Sequence, residues 1–304
     1  MCVLLLSGAG YFASAHKYLE LTTHFKLQYL IGSVGCLLVF IFFGSWPWAV
    51  CMLIGCFINL SALVPFYISS SRIRTGATRA NFRVLLSNVN SLSTHYQALI
   101  DLVNEETPDV LIAQEVNNLW LSELKVVGNL LPHSVTVPRE RGAGIALYSR
   151  IPLQQSEVVD PERTGRPSIL AQLCVDERTI SLLAIHPHAP VRRDHFEYRN
   201  RLLCAASSLA RRMSAPKIVI GDFNCSMWSP YFSNFVRKAG LVDARKGFGV
   251  LPTWPTQMLL KPLLMIPIDH CLVSPDIKVV SIRTGRNIGS DHLPLIVELA
   301  IPKS

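Results

Sequence analysis

The sequence predicts an α/β protein, a sandwich of two mixed β-sheets flanked by helices, preceded by an N-terminal transmembrane helical region. Three observations carry this. The 304-residue chain has no charged residue between Lys26 and Arg72. Beyond that gap, apolar runs of strand length outnumber helical segments, and several are adjacent without an intervening helix, which disfavours a simple doubly wound parallel sheet. Six of these runs meet carboxylates, amides or imidazoles at an end.

The uncharged gap breaks at "GSWPW", where Gly44, Ser45 and Pro47 favour a turn and Trp46 and Trp48 suit a membrane–water interface. Each flanking run approaches the ~20 residues that cross ~30 Å of hydrocarbon, so a hairpin is expected at about 27–44 and 49–68. An ionised side chain at the bilayer centre costs at least ~2.5 kcal/mol, which accounts for the missing charges. "MCVLLLSGAGYFASA" lacks the basic start of a signal peptide and reads as a short first transmembrane helix, giving two or three in all. Residues 1–70 are thus an expected anchor, 71–80 a polar linker and 81–304 a catalytic domain. The arginines after the hairpin (Arg72, Arg74, Arg79, Arg83) and the uncharged turn predict a multi-pass membrane protein with its large domain in the cytoplasm.

A net charge of +8 fits anionic partners such as nucleic acid, phospholipid or other phosphate esters, but the basic residues form no stripe and single out none of them. Eight cysteines without C-x-x-C spacing suggest neither a disulfide framework nor a zinc site.

Within the large domain "FRVLLSNV" reads as a strand. A helix follows over "LSTHYQALIDLVNEETPD", with Ser93 or Thr94 as cap and Tyr96, Leu99, Ile100 and Val103 on one face. "DVLIAQE", "AGIALYS", "SILAQLCV" and "TISLLAIH" are further strands, and "RDHFEYRNRLLCAASSLARRM" is a second amphipathic helix. "KIVIGDFN" is a strand, "SPYFSNFVRKAG" a helix with Ser229 as cap, Pro230 at its first position and Gly240 at its end. "IDHCLVS" and "LPLIVELA" complete the strands.

The polar ends are Asn88 and Asn90, Gln114 and Glu115, His186 and His188, Asp222 and Asn224, Asp269 and His270, and Asp291 and His292. Any one pair is ordinary turn chemistry. Six together at one edge of a sandwich would make a site on a rigid scaffold. Acid and amide oxygens suit a hard cation such as Mg²⁺, and imidazole with carboxylate suits proton transfer involving water. Together they suit displacement at phosphorus.

In this order "LIAQE", "GDFN", "IDHCLVS" and "GSDHLP" resemble the endonuclease/exonuclease/phosphatase superfamily, whose fold is that of deoxyribonuclease I, from about Phe82 to the C-terminus. The segment after "GDFN", joined to hydrophobic N-terminal helices, is similar to bacterial membrane-anchored members, which implies an inner-membrane location. The resemblance implies a Mg²⁺-dependent hydrolase of phosphate esters, with Mn²⁺ as a second possible ion. Metal contacts would come from Asn88, Glu115 and Asp291. Asp222 would orient or activate water, or protonate the leaving group, and Asn224 would donate to a phosphate oxygen. His292, oriented by Asp269, would be general base or phosphate contact. His186 would be general acid or phosphate ligand, with His188 the weaker candidate for that role. Ser87 stands where the family often has tryptophan.

The resemblance leaves the ester open: a phosphodiester of nucleic acid or of a phospholipid head group. An inositol-phosphate type of monoesterase is the alternative, although "CSMWSP" after "GDFN" departs from that branch, and a catalytically silent membrane-tethered binding module is another. The residues point to the lipid bilayer and a phosphate ester as partners and to no protein partner. Arg166 is the candidate substrate contact, and Trp254 with the apolar stretch after it is a stacking surface, a lipid contact or core.

Overall fold

The computed structural model describes residues 2–68, 79–257 and 263–303. Of the expected linker 71–80, residues 71–78 lie outside that range, as do Arg72 and Arg74. The N-terminal helices are α1 (Cys2–Ala9), α2 (Lys17–Leu21), α3 (Lys26–Phe42) and α4 (Trp46–Tyr67). Helices α3 and α4 turn back on each other through Gly44, whose φ of +67° suits glycine. At ~1.5 Å per residue, the 22 residues of α4 span ~33 Å, and the continuous helical stretch Lys17–Phe42 is 26 residues long. Both are long and apolar enough to cross a membrane. The apolar stretch Cys2–Phe12 spans only ~16 Å, about half the hydrocarbon thickness.

The rest forms β1 (Phe82–Asn88), α5 (Tyr96–Glu106), β2 (Val110–Gln114), α6 (Asn118–Glu123), β3 (His133–Val137), β4 (Ile145–Ser149), β5 (Leu153–Val159), β6 (Ser168–Val175) and β7 (Arg178–Ala184). Then follow α7 (Arg193–Arg212), β8 (Lys217–Asp222), α8 (Pro230–Ala239), β9 (Val242–Asp243), β10 (Asp269–Val273), β11 (Lys278–Thr284) and β12 (Leu295–Ala300). Two six-stranded sheets result, ordered β11-β12-β1-β2-β4-β3 and β5-β6-β7-β8-β10-β9. Helix α5 starts at Tyr96 with His95 in the cap position rather than the expected Ser93 or Thr94; the Ser93 hydroxyl donates to the Gly289 carbonyl and accepts from the His95 N–H. Helix α8 has the expected frame: Ser229 Oγ accepts from the Tyr231 N–H, and Gly240 closes the helix at φ +67°.

Each sheet is antiparallel except at one central pair, β1 with β2 and β7 with β8. Those parallel pairs are joined by the crossover helices α5 and α7, as a parallel connection requires. This topology places the site. The four parallel strands finish at one rim, and their antiparallel neighbours β10 and β12 begin there, with Asp269 paired to Asp222 and Leu295 to Leu86.

Between the sheets lies an apolar core that includes Val84, Leu86, Ile112, Leu147, Ile169, Leu182, Ile220 and Val297. The outer face of the first sheet is covered by α5 and α6 around Leu99, Val103 and Trp120. The outer face of the second is covered by α7 and α8, and into that layer the N-terminal hairpin inserts Leu63 and Phe66. The Phe66 carbonyl accepts from the N–H groups of Gly247 and Gly249, and Trp228 Nε1 donates to the Ala62 carbonyl. Gln28 Nε2 reaches the Met265 carbonyl. The hairpin is therefore seated on the domain by buried side chains and backbone bonds together.

Candidate active site

All nine expected site residues meet at the rim. Asn88, at the end of β1, is the hub: its Nδ2 lies 3.1 Å from Glu115 Oε1, 3.4 Å from Asp222 Oδ2 and 3.5 Å from His292 Nε2. His292 Nδ1 is 2.8 Å from Asp269 Oδ2, so the pair forms a hydrogen-bonded dyad with Nε2 left facing the others, 3.8 Å from Asp222. Asn224 Nδ2 is 3.2 Å from Asp222 Oδ2, and the Asn224 backbone N–H donates to Asp222 Oδ1 at 2.7 Å. Asp291 is held by Asn90 Nδ2 at 3.0 Å and by Trp254 Nε1 at 3.1 Å. His186 Nε2 lies 3.7 Å from Asp222 and 4.0 Å from Glu115.

His188, the other candidate histidine, makes its contacts with a loop carbonyl, Arg166 and neighbouring rings. Its Nε2 is 2.8 Å from the Thr164 carbonyl and its ring lies against His195 and Tyr198. His270 points to the other face of β10 from Asp269, as strand alternation requires. There it bridges Arg245 and the Cys225 carbonyl. Arg166 lines the cavity, with Nη1 donating to the Gly142 carbonyl and Nε 3.4 Å from His188 Nδ1.

Local backbone supports this convergence. Asn90, Glu115 and Asn224 have φ of +56°, +66° and +50°, conformations that cost a non-glycine residue ~1–3 kcal/mol and collect at functional sites. Gly221 has no alternative: a Cβ there would stand 1.9 Å from the Ile185 carbonyl oxygen. Gln114, one residue before Glu115, accepts from the Asp222 N–H at 2.9 Å and donates to Ile185 at 2.8 Å, tying the two sheets together beneath the site.

The electrostatics are lopsided. Among the described residues, the four carboxylates Glu115, Asp222, Asp269 and Asp291 meet Arg166, the histidines and, at Asp269, Arg245. Burial, then the neighbouring Asp269 carboxylate, pushes Asp222 up to about 8. Burial alone would lower His292, but the charge and hydrogen bond of Asp269, joined by Asp222, outweigh it and raise the imidazole to about 10. Burial and then Arg166 hold His186 well below the usual imidazole range, so it is neutral and its carboxylate contacts are not ion pairs. Asp269 Oδ1 is buried without a hydrogen-bond donor. Excess carboxylate and hard oxygen donors together fit a divalent cation. Asp222, Asp269 and His292 offer ligand atoms within 4.8 Å of one another. The Nδ1 of His292 is already engaged by Asp269, however, which favours a cation beside Glu115 and Asn88 instead.

The cavity holds about 510 Å³. Its lining includes two residues that sequence reading did not connect to the site, Leu21 and His24. His24 Nδ1 is 2.9 Å from Ser226 Oγ, and neighbouring Glu20 is 3.2 Å from Arg199, which donates to the Asn224 carbonyl. No local pattern could have signalled contacts 202 residues apart. Trp254, left open between stacking, lipid contact and core, lines the cavity and holds Asp291.

The fold is thus a two-sheet sandwich that gathers carboxylates, amides and an imidazole dyad at one rim. The chain belongs to the Endonuclease/Exonuclease/phosphatase family, matching it over residues 85–292. Members of that family hydrolyse phosphate esters and generally use a divalent metal. Its fold is similar to that of the human Nocturnin catalytic domain, solved with bound sulfate, at 19% identity and TM-score 0.61 over 74% of this chain and 96% of that one. A humanized D. rerio TDP2 aligns at 18% identity and TM-score 0.60 over 72% of this chain and 98% of that one. The 3′ phosphatase NExo from Neisseria, bound to product DNA hairpin, aligns at 19% identity and TM-score 0.57 over 72% and 99%. No curated protein sequence matches the chain.

Proposed function

We propose that the protein is a membrane-anchored, Mg²⁺-dependent phosphodiesterase that cleaves its ester by in-line attack of water. The observation that carries the reading is the Asn88 hub, which holds Glu115, Asp222 and His292 around one point. Asn88, Glu115 and Asp291 would hold the cation, which when bound supplies charge neutralisation at the phosphoryl oxygens. Mn²⁺ would satisfy the same donors.

Asp222 is aligned by the Asn224 N–H and side chain and sits beside His186 and His292, where it can take a proton from water. The water oxygen forms the new bond to phosphorus, the ester P–O bond breaks in line, and the departing oxygen picks up a proton. Protonated His292, steadied by Asp269, and Asn224 offer N–H groups to phosphoryl oxygens as charge develops. Arg166 lines the same cavity, close enough to act on Glu115 and Asp222, and is a further cation for that anion. Neutral His186 serves as a hydrogen-bonding ligand of the phosphate rather than as a charged acid.

Membrane anchoring is supported by burial. In the apolar windows of the two long helices only 11% and 33% of residues are buried, whereas a core hairpin of a water-soluble protein would be mostly covered. The exposed aromatics Phe42, Phe43, Trp46 and Trp48 cluster at the hairpin tip, as an interfacial belt would. The tip is the end away from the domain, and we place the domain in the cytoplasm on the arginine bias.

The test is hydrolysis of bis-p-nitrophenyl phosphate by the detergent-solubilised full chain, with Mg²⁺ and with Mn²⁺ and with Asp222→Asn as blank. Turnover abolished by EDTA and by Asp222→Asn is expected. Metal-independent turnover would overturn the reading, and so would no turnover of this diester, of phospholipid vesicles or of plasmid DNA, which would favour a silent binding module.

A further inference from the structure

One wall of the catalytic cavity comes from the N-terminal region rather than from the sandwich. Leu21 closes α2, His24 follows it, and α3 starts at Lys26. At ~1.5–2 Å of rise per residue, Leu21 stands only ~10 Å along the chain from Leu27, where the apolar run begins. The segment is fixed there by the His24–Ser226 bond and by the buried Glu20–Arg199 pair, both residues of which are fully buried.

The lining is sorted by chemistry. The polar lining includes Glu115 and Arg166 with the buried His186, Asp222 and His292, and the apolar lining includes Leu21, Val191, Ile266 and Ile268. Val191 is 81% exposed and Leu21 38%, so both present open hydrocarbon surface at the edge of a strongly polar site. That apolar margin adjoins the hairpin, whose outer faces carry exposed Ile31, Val34, Leu53 and Phe57. A polynucleotide would bring sugars and further phosphates to such a margin, where the neighbouring Arg192 and Arg193 are already paired with Asp194 and Glu197. A phosphate ester bearing a hydrocarbon chain matches both halves of the cavity.

From this continuity we infer that the substrate is a lipid-linked phosphodiester taken from the bilayer, its phosphate at the polar lining and the first part of its chain along Leu21 and Val191. The inference rests on the phosphodiesterase reading above. Water attacks phosphorus, one ester P–O bond breaks, and the products are an alcohol and a phosphomonoester, with no redox partner required.

The experiment uses the full chain with Mg²⁺ on three probes: vesicles of phosphatidylglycerol and phosphatidylethanolamine, bis-p-nitrophenyl phosphate, and plasmid DNA. Asp222→Asn is the blank. Lipid turnover at least tenfold more efficient than that of the soluble diester is expected. Leu21→Asp and Val191→Asp, both at exposed positions, should each lower the lipid-to-soluble ratio at least tenfold. Turnover of the soluble diester or DNA without the lipids, or an unchanged ratio in both variants, overturns the lipid assignment and leaves the phosphodiesterase standing. Failure on all three probes overturns both.

Discussion

Two clusters of buried charge lie within one loop of each other and are built on opposite plans. In the first, Glu20 and Arg199 face each other 3.2 Å apart, and Arg199 is held between the rings of Phe196 and Tyr231 at 4.9 and 5.3 Å. One carboxylate meets one guanidinium and, at 3.4 Å, the His24 imidazole, and the other N–H groups of Arg199 reach the Asn224 carbonyl and the Asn200 side chain. In the second, four carboxylates crowd Arg166 and His292. A buried charge is costly unless paired. The first cluster meets that cost internally and so can serve as a joint. The second does not, and its surplus negative charge is what a cation and a phosphate ester would complete. Buried charge with a matched partner is architecture, and buried charge left in excess is a site.

This contrast can be broken from either side. The largest effect is expected on turnover: Asp222→Asn and His292→Ala should each lower kcat at least ~10²–10³-fold, the loss typical of one transition-state donor. Above pH 8, where Asp222 is ionised in the metal-free protein, Asp222→Asn should also raise the melting temperature, because it removes one of the crowded charges; a fall there would place Asp222 among the balancing groups. Glu20→Gln strands a buried guanidinium and should cost ~3–5 kcal/mol in unfolding of the detergent-solubilised protein. Replacing both partners with apolar residues (Glu20→Leu with Arg199→Met) should restore most of that.

The third test is ion binding read against pH. Folded-state values of Asp222, about 8, and His292, about 10, lie above their ordinary values. Each therefore lends stability in full below its unfolded value and loses it as pH rises through the folded one. The metal-free protein should weaken from about pH 4 to 8 through Asp222, and again towards pH 10 through His292. A cation beside Glu115 favours the ionised form of neighbouring Asp222, so Mg²⁺ stabilisation should be larger at pH 8 than at pH 5, on the scale of ~2.7 kcal/mol at a hundredfold excess over Kd. Thermal scans at the two pH values decide it. Smallest, Arg166→Ala should raise KM about tenfold with little change in kcat, since one charged hydrogen bond contributes ~1.5–3 kcal/mol.

The balanced and unbalanced clusters also differ in how far sequence revealed them. Asn88, Glu115, Asp222, Asp269 and His292 each stand at a strand end beside an apolar run, so strand periodicity alone brings them to one rim. The frame of α8 was equally visible, because Ser229, Pro230 and Gly240 act locally. Strand β5, "LQQSEVV", was not: it is an edge strand exposed along most of its length, so burial imposes no alternation on it. Strand β3 is likewise at an edge. Glu20 read only as a lone acid before a hydrophobic run, since its partner comes from a helix of the distant catalytic domain.

The carbonyl of Phe66, clasped by Gly247 and Gly249, has a practical consequence. Leu63 and Phe66 fill part of the layer over α7 and α8, together with Phe232 and Val250. A fragment trimmed to start near Asn81 would lose that cover and display a greasy face to water. Such a piece should self-associate or precipitate, so preparations made for assay or crystallisation will behave best with their first 68 residues retained.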